Sequence, residues 1–183
     1  IGINPYDDSI EVLSKQQLYQ RRRDNKRLID IVRPILQETA GSIKDSGYRI
    51  DLYDKDLYLI ERFGKRLIEG DEERREVVLG QSHKEKDVGT NSTNLAALLG
   101  KPVTLMAYEH YRTTLHELTC VSVPIEDRNN DIMAVLTVEG YIWPMHEHTE
   151  ALLVALKYCI EDRLYAGVDS CGKIMKAFNS ELV

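Results

Sequence analysis

The chain has 183 residues, a formal net charge of −6 and a pI of about 5.4. Its hydrophobic fraction of 43% and charged fraction of 30% are typical of a globular protein, and no apolar run reaches the roughly 18 residues of a membrane span. The acidic balance argues against direct nucleic-acid binding, which depends on clustered lysine and arginine. We interpret the one basic run, residues 21–27, as a solvated helix face balanced by nearby acids.

The cysteines follow no recognisable pattern. Cys120, Cys159 and Cys171 are odd in number and lie at unrelated spacings. We therefore expect no disulfide framework, which fits a reducing cytoplasm.

The histidines give little support to a metal site. His110 and His116 are six residues apart, and His146 and His148 are two apart, which on a helix would point them in different directions. We expect no metal and no cofactor.

Helical signals dominate the first 47 residues. Ser14 and Gln17 form a capping box that opens a long helix. Pro34 falls inside it, so either the helix kinks there or two helices meet, and we expect one bent element that ends near Gly47. The apolar positions with helical spacing are Leu28, Val32, Ile35, Leu36, Ala40 and Ile43.

The pattern then changes to strands. Residues 48–64, YRIDLYDKDLYLIERFG, contain two short runs rich in Tyr, Ile and Leu, which predict a β-hairpin. Residues 64–87 are so charged that we expect a surface loop or a short helix. Asn91 or Ser92 caps a short helix that ends at Gly100, and KPVTLMA follows as a brief strand.

A second hairpin is predicted for the centre of the sheet. In LTCVSVPI, Thr119, Val121, Val123 and Ile125 share one face, whereas Leu118, Cys120 and Ser122 share the other. DIMAVLTVEG also alternates, and EDRNN joins the two strands. A final helix follows, with an apolar stripe of Leu152, Ala155, Cys159, Leu156, Ile160 and Leu164.

These elements predict an α+β fold, in which an antiparallel sheet is flanked by helices. We divide the chain into an N-terminal helical region (1–47), a domain of the size of a sensory module (48–166) and a helical linker (167–183). We expect the linker to lead to further domains outside these residues.

Several polar residues in the central strands allow two interpretations. Ser122 and Thr137 stand among Val, Leu and Ile, so each hydroxyl requires a partner, either a backbone carbonyl or a ligand. Cys120 suits core packing first and a pocket wall second. Tyr108, Tyr111 and Trp143 flank the same strands and suit either a core edge or a small-molecule pocket.

The motifs resemble, in order and spacing, the GAF sensory domain of sigma-54-dependent activators of the acetoin-operon regulator type. They are VGTNSTNLAALLGKPV, YEHY, LTCVSVPIEDRNNDIMAVLTVEG and HEHTEALLVALKYCIEDRL. The resemblance covers residues 88–164 well and earlier residues more weakly. Ser92-Thr93-Asn94 departs from the usual Ala-Ile-Gly, Asn130 and Ala134 replace two glycines, and SHKEKD replaces a stretch that normally carries a tryptophan.

The resemblance implies a sheet of about six strands and a small-molecule cavity between the sheet and a helix carrying Glu109-His110-Tyr111. Glu109 would hold that helix by hydrogen bonds, and Gly89-Thr90-Asn91 would form a turn and helix cap on the rim. The residues expected to line the cavity are Tyr108, His110, Tyr111, Thr119, Cys120, Ser122, Thr137 and Trp143.

The resemblance also implies a homodimer through the first and last helices, with ATPase and helix-turn-helix domains downstream. The leading hypothesis is a cytoplasmic, non-catalytic sensor of a small metabolite that regulates transcription, with no direct nucleic-acid or membrane contact by this chain. The alternatives are a dimerisation module without ligand and a cysteine-dependent reductase of free methionine sulfoxide. A redox or metal sensor that uses Cys120 and the histidines is a further alternative.

Overall fold

The computed structural model describes residues 2–6, 9–43, 47–64, 77–142 and 148–166. They form five helices and five strands, in the order α1-α2-β1-β2-α3-α4-β3-β4-β5-α5, with 3₁₀ turns at Ala107–Glu109 and Thr113–Leu115. The helices are α1 (Lys15–Asp24), α2 (Lys26–Ser42), α3 (Glu85–Val88), α4 (Ser92–Leu99) and α5 (Thr149–Ala166). The strands are β1 (Arg49–Asp54), β2 (Leu59–Gly64), β3 (Val103–Met106), β4 (Leu118–Glu126) and β5 (Ile132–Tyr141).

The strands form one antiparallel sheet in the order β2-β1-β5-β4-β3. The predicted α+β architecture and both hairpins are confirmed, although the described part of the chain forms five strands where about six were expected. Because β5 lies between β1 and β4, strands that are about 70 residues apart in sequence become neighbours of the same central strand.

The two faces of the sheet differ in chemistry. Alternate side chains of β1, β4 and β5 pack with α2 and α5 into the main hydrophobic core. We call this side the helical face. Its strand residues include Ile50, Leu52, Val121, Val123, Ile125, Ala134, Leu136 and Val138. The opposite side, covered by α4 and by loops, carries charged and hydroxyl side chains and is called the polar face.

The N-terminal helices differ from the prediction. The capping box at Ser14 and Gln17 is confirmed. However, the helix is interrupted at Asn25, between α1 and α2, and Pro34 lies inside a continuous α2. The side-chain amide of Asn25 donates to the Arg21 carbonyl at 2.9 Å and so helps to close α1. Buried apolar side chains on both sides of Pro34 keep α2 packed on the sheet, which offsets the hydrogen bond that proline cannot make.

The Glu109-His110-Tyr111 segment also differs from the prediction. No α-helix carries it: Glu109 ends a single 3₁₀ turn, and His110 follows with extended backbone. The carboxylate of Glu109 accepts the Met106 N–H at 2.7 Å, so it stabilises this turn. Ala107 adopts a positive φ of 49°, which starts the turn and prevents a regular helix.

The β4–β5 turn forms without one of the glycines that the resembled family carries there. Asn130, which stands in place of a glycine, adopts φ 63°, a conformation that Asn tolerates better than most residues. The Asp127 carboxylate accepts the N–H groups of Asn129 and Asp131 at 2.7 and 3.0 Å. The turn is therefore maintained by side-chain hydrogen bonds.

In α5 the buried stripe is shifted slightly from the prediction. Leu153, Leu156, Cys159, Ile160 and Leu164 are buried, whereas Leu152 and Ala155 are half-buried. Along the parts of the chain that the structure covers, every helix is too short or too polar to cross a bilayer.

Candidate functional site

The polar face holds a buried cluster of two arginines and two carboxylates: Arg49, Asp51, Arg62 and Glu139. We call it the charged cluster. Arg49 Nε lies 2.7 Å from Glu139 Oε1 and 3.5 Å from Asp51 Oδ2. Arg62 binds Asp51 bidentately, with both N–O distances at 2.7 Å. The β1–β5 register places Arg49 directly opposite Glu139, so the sheet itself pairs the two charges.

Burial and ion pairing act in opposite directions in this cluster. Burial disfavours the charge on Arg49, but the neighbouring Glu139 and Asp51 outweigh it and raise the Arg49 pKa. Burial likewise opposes ionisation of Glu139, yet Arg49 lowers the Glu139 pKa below its usual range. The Asp51 pKa is raised by burial, with Arg62 opposing. The two arginines therefore stabilise the two carboxylates in a region that excludes water. The formal charges of the four groups sum to zero.

Tyr53 and His83 extend the cluster toward the covering loops. The Tyr53 hydroxyl lies 3.3 Å from His83 Nε2 and 3.5 Å from Asp51 Oδ2, and the two rings are 4.5 Å apart at their centroids. Both side chains are buried. Burial lowers the pKa of His83 to about 4, so this imidazole is neutral at pH 7.

Because of this shift, His83 should make stability depend on pH. In the unfolded chain a histidine binds its proton near pH 6.5, whereas folded His83 does so only near pH 4. The folding stability associated with neutral His83 is therefore fully present above pH 6.5 and is lost as the pH falls toward 4. Between pH 7 and 5 the wild type should lose about 2 kcal/mol more unfolding free energy than H83Q, measured by urea denaturation.

H148Q is the matched control, because His148 is exposed. It should reproduce the wild-type pH profile. Parallel profiles for the wild type and H83Q would show that His83 does not titrate as its burial demands.

Four hydroxyls connect α4 to the two central strands; we call them the hydroxyl chain. Ser122 donates to Ser92 at 2.8 Å and lies 2.8 Å from Thr137, which in turn lies 3.0 Å from Thr93. The partners of Ser122 and Thr137 are thus side-chain hydroxyls. Ser92 and Thr93 are two of the departures from the resembled family, so these departures place hydroxyls where the polar face needs partners.

The predicted Gly89-Thr90-Asn91 turn and helix cap are confirmed. Asn91 Oδ1 accepts the Asn94 N–H at 2.9 Å, and Asn91 Nδ2 donates to the His83 and Gly89 carbonyls. Gly89 has φ 77° and ψ −163°, which side-chain-bearing residues rarely adopt. A Cβ at this position would lie 2.4 Å from the Tyr111 ring.

Residues 110–113 run alongside this turn. The Tyr111 N–H donates to the Thr90 carbonyl at 3.0 Å, and Arg112 Nη2 donates to the Asp87 carbonyl at 2.5 Å. Arg112 and His110 are both 2% exposed, yet Arg112 Nε, Arg112 Nη1 and His110 Nε2 have no hydrogen-bond partner among the described residues. Buried polar atoms are ordinarily paired, so these atoms are candidates for contact with a ligand.

The segment before α1 covers the same loops. Pro5 accepts the Thr113 N–H at 3.2 Å, Glu11 accepts the Ser82 N–H at 2.9 Å, and Leu13 donates to Gly80 at 3.0 Å. This segment leads directly to Ser14, the cap of α1. It therefore joins the loops of the polar face to the helices of the opposite face.

The structure separates the residues that were expected to line one cavity. Cys120, Ser122 and Thr137 lie on the polar face, and His110 and Tyr111 lie in the covering loop. Thr119 is fully buried but alternates with Cys120, so it lies on the opposite face. Its hydroxyl has no hydrogen-bond partner in the part of the chain that the structure describes. Tyr108 is 83% exposed and packs edge-on against His116. Trp143 lies outside the described residues.

Both cysteines in the described part of the chain are buried. Cys120 is free and buried, opposite Glu139 in the sheet, and burial raises its pKa well above the usual thiol value. Its thiol is therefore protonated at neutral pH. Cys159, in α5, is also buried, and Cys171 lies outside the described residues.

Several residues of the site were not predicted from the sequence. Arg49, Asp51 and Glu139 alternate with buried apolar residues in strands, a signal that charged groups face a second buried layer. The prediction for these strands uses their apolar residues and Thr137, but none of their charged residues. Arg112 and His83 stand in irregular segments, where no periodicity indicates burial.

A cavity lies on the helical side, where α1 meets α2 near the end of α5. Its volume is about 610 Å³. None of the residues predicted to bind a ligand lines it. The lining residues are Asp24, Asn25, Arg27, Leu28, Asp127, Arg128, Met133, Leu164 and Tyr165.

No family model matches the sequence. The chain is 28% identical over 140 residues to a "Signal-transduction and transcriptional-control protein" of Clostridium beijerinckii. The match covers 76% of this chain and 22% of that relative, so the chain spans about a fifth of the relative's length.

The fold recurs in solved structures. A chain of the E. coli DhaR(N)–DhaL complex matches with a TM-score of 0.81 and 14% identity, over 98% of this chain and 60% of that one. An IclR homolog complexed with 4-hydroxybenzoate, from Microbacterium hydrocarbonoxydans, matches with a TM-score of 0.57 and 14% identity, over 76% and 69% of the two chains. A type II free methionine-R-sulfoxide reductase from Thermoplasma acidophilum matches with a TM-score of 0.50 and 14% identity, over 73% and 92%.

These similarities confirm the predicted resemblance to GAF-like sensory domains of transcription regulators. The same fold also occurs in a reductase, so the fold by itself does not distinguish a sensor from an enzyme.

Proposed function

We propose that the chain is the sensory domain of a sigma-54-dependent transcription regulator, and that its input is a small molecule bound between the polar face and its covering loops. The observation that carries the proposal is the set of buried polar atoms of Arg112 and His110, in those loops, that have no partner among the described residues. In a fold shared with regulator sensory domains, such atoms are suited to recognising a ligand.

A route from the polar face to the helices supports the proposal. The β1–β2 hairpin carries Asp51 and Arg62 of the charged cluster. It is also tied to α1 and α2, because Arg21 binds Asp54 at 2.7 Å and Arg33 binds Glu61 at 2.8 Å. A ligand that favours one arrangement of the cluster would therefore shift the hairpin and both helices.

We propose a non-catalytic role in the cytoplasm, where transcription takes place. A reductase that uses two cysteines needs an attacking thiolate and a second cysteine within reach. The Cys120 thiol is protonated and lies on the polar face, whereas Cys159 belongs to α5, which packs on the helical face.

Native mass spectrometry of the purified chain tests the proposal. We expect a co-purified organic molecule, or binding from a metabolite library, together with a homodimer through the N- and C-terminal helices. Chain that binds nothing in such a library would contradict a small-molecule input. Turnover of free methionine sulfoxide that is lost in Cys120→Ser would contradict the non-catalytic role.

A second candidate is a domain whose input is another protein. The matched E. coli structure is a complex of two proteins, and this chain exposes apolar side chains at the α4–β3 edge of the sheet. They are Leu98, Leu99, Met106 and Tyr108, each at least 46% exposed. This candidate predicts that the double variant Leu98→Ser/Tyr108→Ser binds small molecules as the wild type does. The same variant should nevertheless abolish regulation by the complete regulator.

A further inference from the structure

Arg49, Arg62 and Arg112 on the polar side differ in their partners. Arg49 and Arg62 each bind carboxylates within the charged cluster. Arg112 is as buried as Arg49, at 2% exposure, but no ion pair to it is present in the described parts of the chain. Among the described residues, its guanidinium makes one hydrogen bond, from Nη2 to the Asp87 carbonyl.

An unpaired buried guanidinium is costly, because it gives up hydration without gaining an anion. Arginine has five N–H groups, and those of Nε and Nη1 have no acceptor here. The Arg62–Asp51 pair shows how an arginine on this face binds a carboxylate, through two parallel N–H groups. Arg112 lacks the corresponding anion.

Arg112 is held in place from both sides. Its own hydrogen bond fixes it to the 87–90 loop, and the neighbouring Tyr111 N–H binds Thr90. On the other side Thr113 binds Pro5 through both its N–H and its hydroxyl. The guanidinium is therefore positioned before any ligand arrives, which lowers the entropy lost on binding.

We propose that Arg112 binds the carboxylate of a small organic acid, the ligand class to which this sensory domain responds. The inference rests on the proposed sensory function and adds the chemical class of the ligand. A bound carboxylate would supply the missing anion, so that Arg112 would form an ion pair as Arg49 and Arg62 already do.

His110 guides the choice of probes. Its Nδ1 lies 3.1 Å from the Ala107 carbonyl and must donate there, so Nε2 of the neutral ring is an acceptor without a donor. A hydroxyl group on the acid would provide that donor. We therefore choose lactate and 4-hydroxybenzoate beside acetate and benzoate, with the amides of all four acids as neutral counterparts and inorganic phosphate as a different anion.

Calorimetric titration and thermal melting of the chain test the inference. We expect at least one carboxylate to bind the wild type and raise its melting temperature, while its amide does neither. R112M should weaken that binding roughly 10- to 100-fold. Its ligand-free melting temperature should stay within a few degrees of the wild type or rise, because methionine removes an unpaired charge.

R23M is the matched control, since Arg23 is exposed on α1, and it should bind as the wild type does. R112K keeps the charge but not the two parallel N–H groups and should bind several-fold more weakly. It provides the same comparison if R112M does not fold.

The inference would be overturned by equal binding of acid and amide, by equal affinity in the wild type and R112K, or by tighter binding of phosphate than of every carboxylate. A neutral molecule that binds the wild type and R112M equally would also overturn it, while leaving the sensory function intact. Absence of any small-molecule ligand would contradict both.

Discussion

Replacing Arg49 with methionine should destabilise the domain by about 3–5 kcal/mol, because Glu139 would remain buried without its partner. The side chains are 2% and 4% exposed, so water cannot replace the lost guanidinium. For a chain of this size the melting temperature should fall by roughly 10 °C. Urea denaturation of the wild type and R49M, with thermal melting, measures the effect.

The pH dependence identifies the cause. Without Arg49, only Asp51 and Arg62 still oppose the burial of Glu139, so the Glu139 pKa should rise from its lowered position. The destabilisation in R49M should therefore be smaller at pH 4.5 than at pH 7, because protonation removes the uncompensated charge.

Two variants separate the buried pair from ordinary surface pairs. R49M/E139L removes both charges and should recover most of the lost stability. K26M breaks the exposed pair with Asp30 and should cost at most about 0.5 kcal/mol. An R49M variant no less stable than K26M would show that the charged cluster does not stabilise the fold.

Gly89→Ala should destabilise the domain by about 3–5 kcal/mol, the second large effect. The backbone conformation at Gly89 is strained for any residue with a Cβ, and the added methyl would meet the Tyr111 ring at 2.4 Å. Tyr111 cannot easily move aside, because its N–H binds Thr90 and its hydroxyl binds the Ile3 carbonyl. Urea denaturation measures the loss.

Gly41→Ala is the matched control. Gly41 lies inside α2 with no atom within 4 Å of an added Cβ, so the change should raise stability by about 0.5–1 kcal/mol. In Gly89→Ala/Tyr111→Ala only the steric part of the loss should return. A Gly89→Ala protein as stable as the wild type would show that the turn can adopt another conformation.

Much of the fold was predictable because its signals are local. The capping box at Ser14, the cap at Asn91 and the end of α4 at Gly100 depend on residues within one helical turn of each other. Alternation assigned Val121 and Val123 to one face and Cys120 to the other. The helix break at Asn25 was missed because Pro34 was the stronger local signal, and packing of α2 on the sheet overrode it.

The candidate site was predicted only in part. Cys120, Ser122 and Thr137 do lie on one polar face, and His110 and Tyr111 do lie in its cover. Tyr108 points outward and Thr119 points to the other face, because a 3₁₀ turn replaces the expected helix and the pleat alternates.

The sequence by itself determined the elements, their order and their apolar faces, since hydrophobic period, caps and turn residues act over a few positions. Only the tertiary structure decided which polar groups meet. Arg49 and Glu139 are 90 residues apart, and their contact depends on β1 lying beside β5. Arg112 is left without an anion for the same reason: the burial and partners of a charged side chain depend on distant segments, which no local pattern encodes.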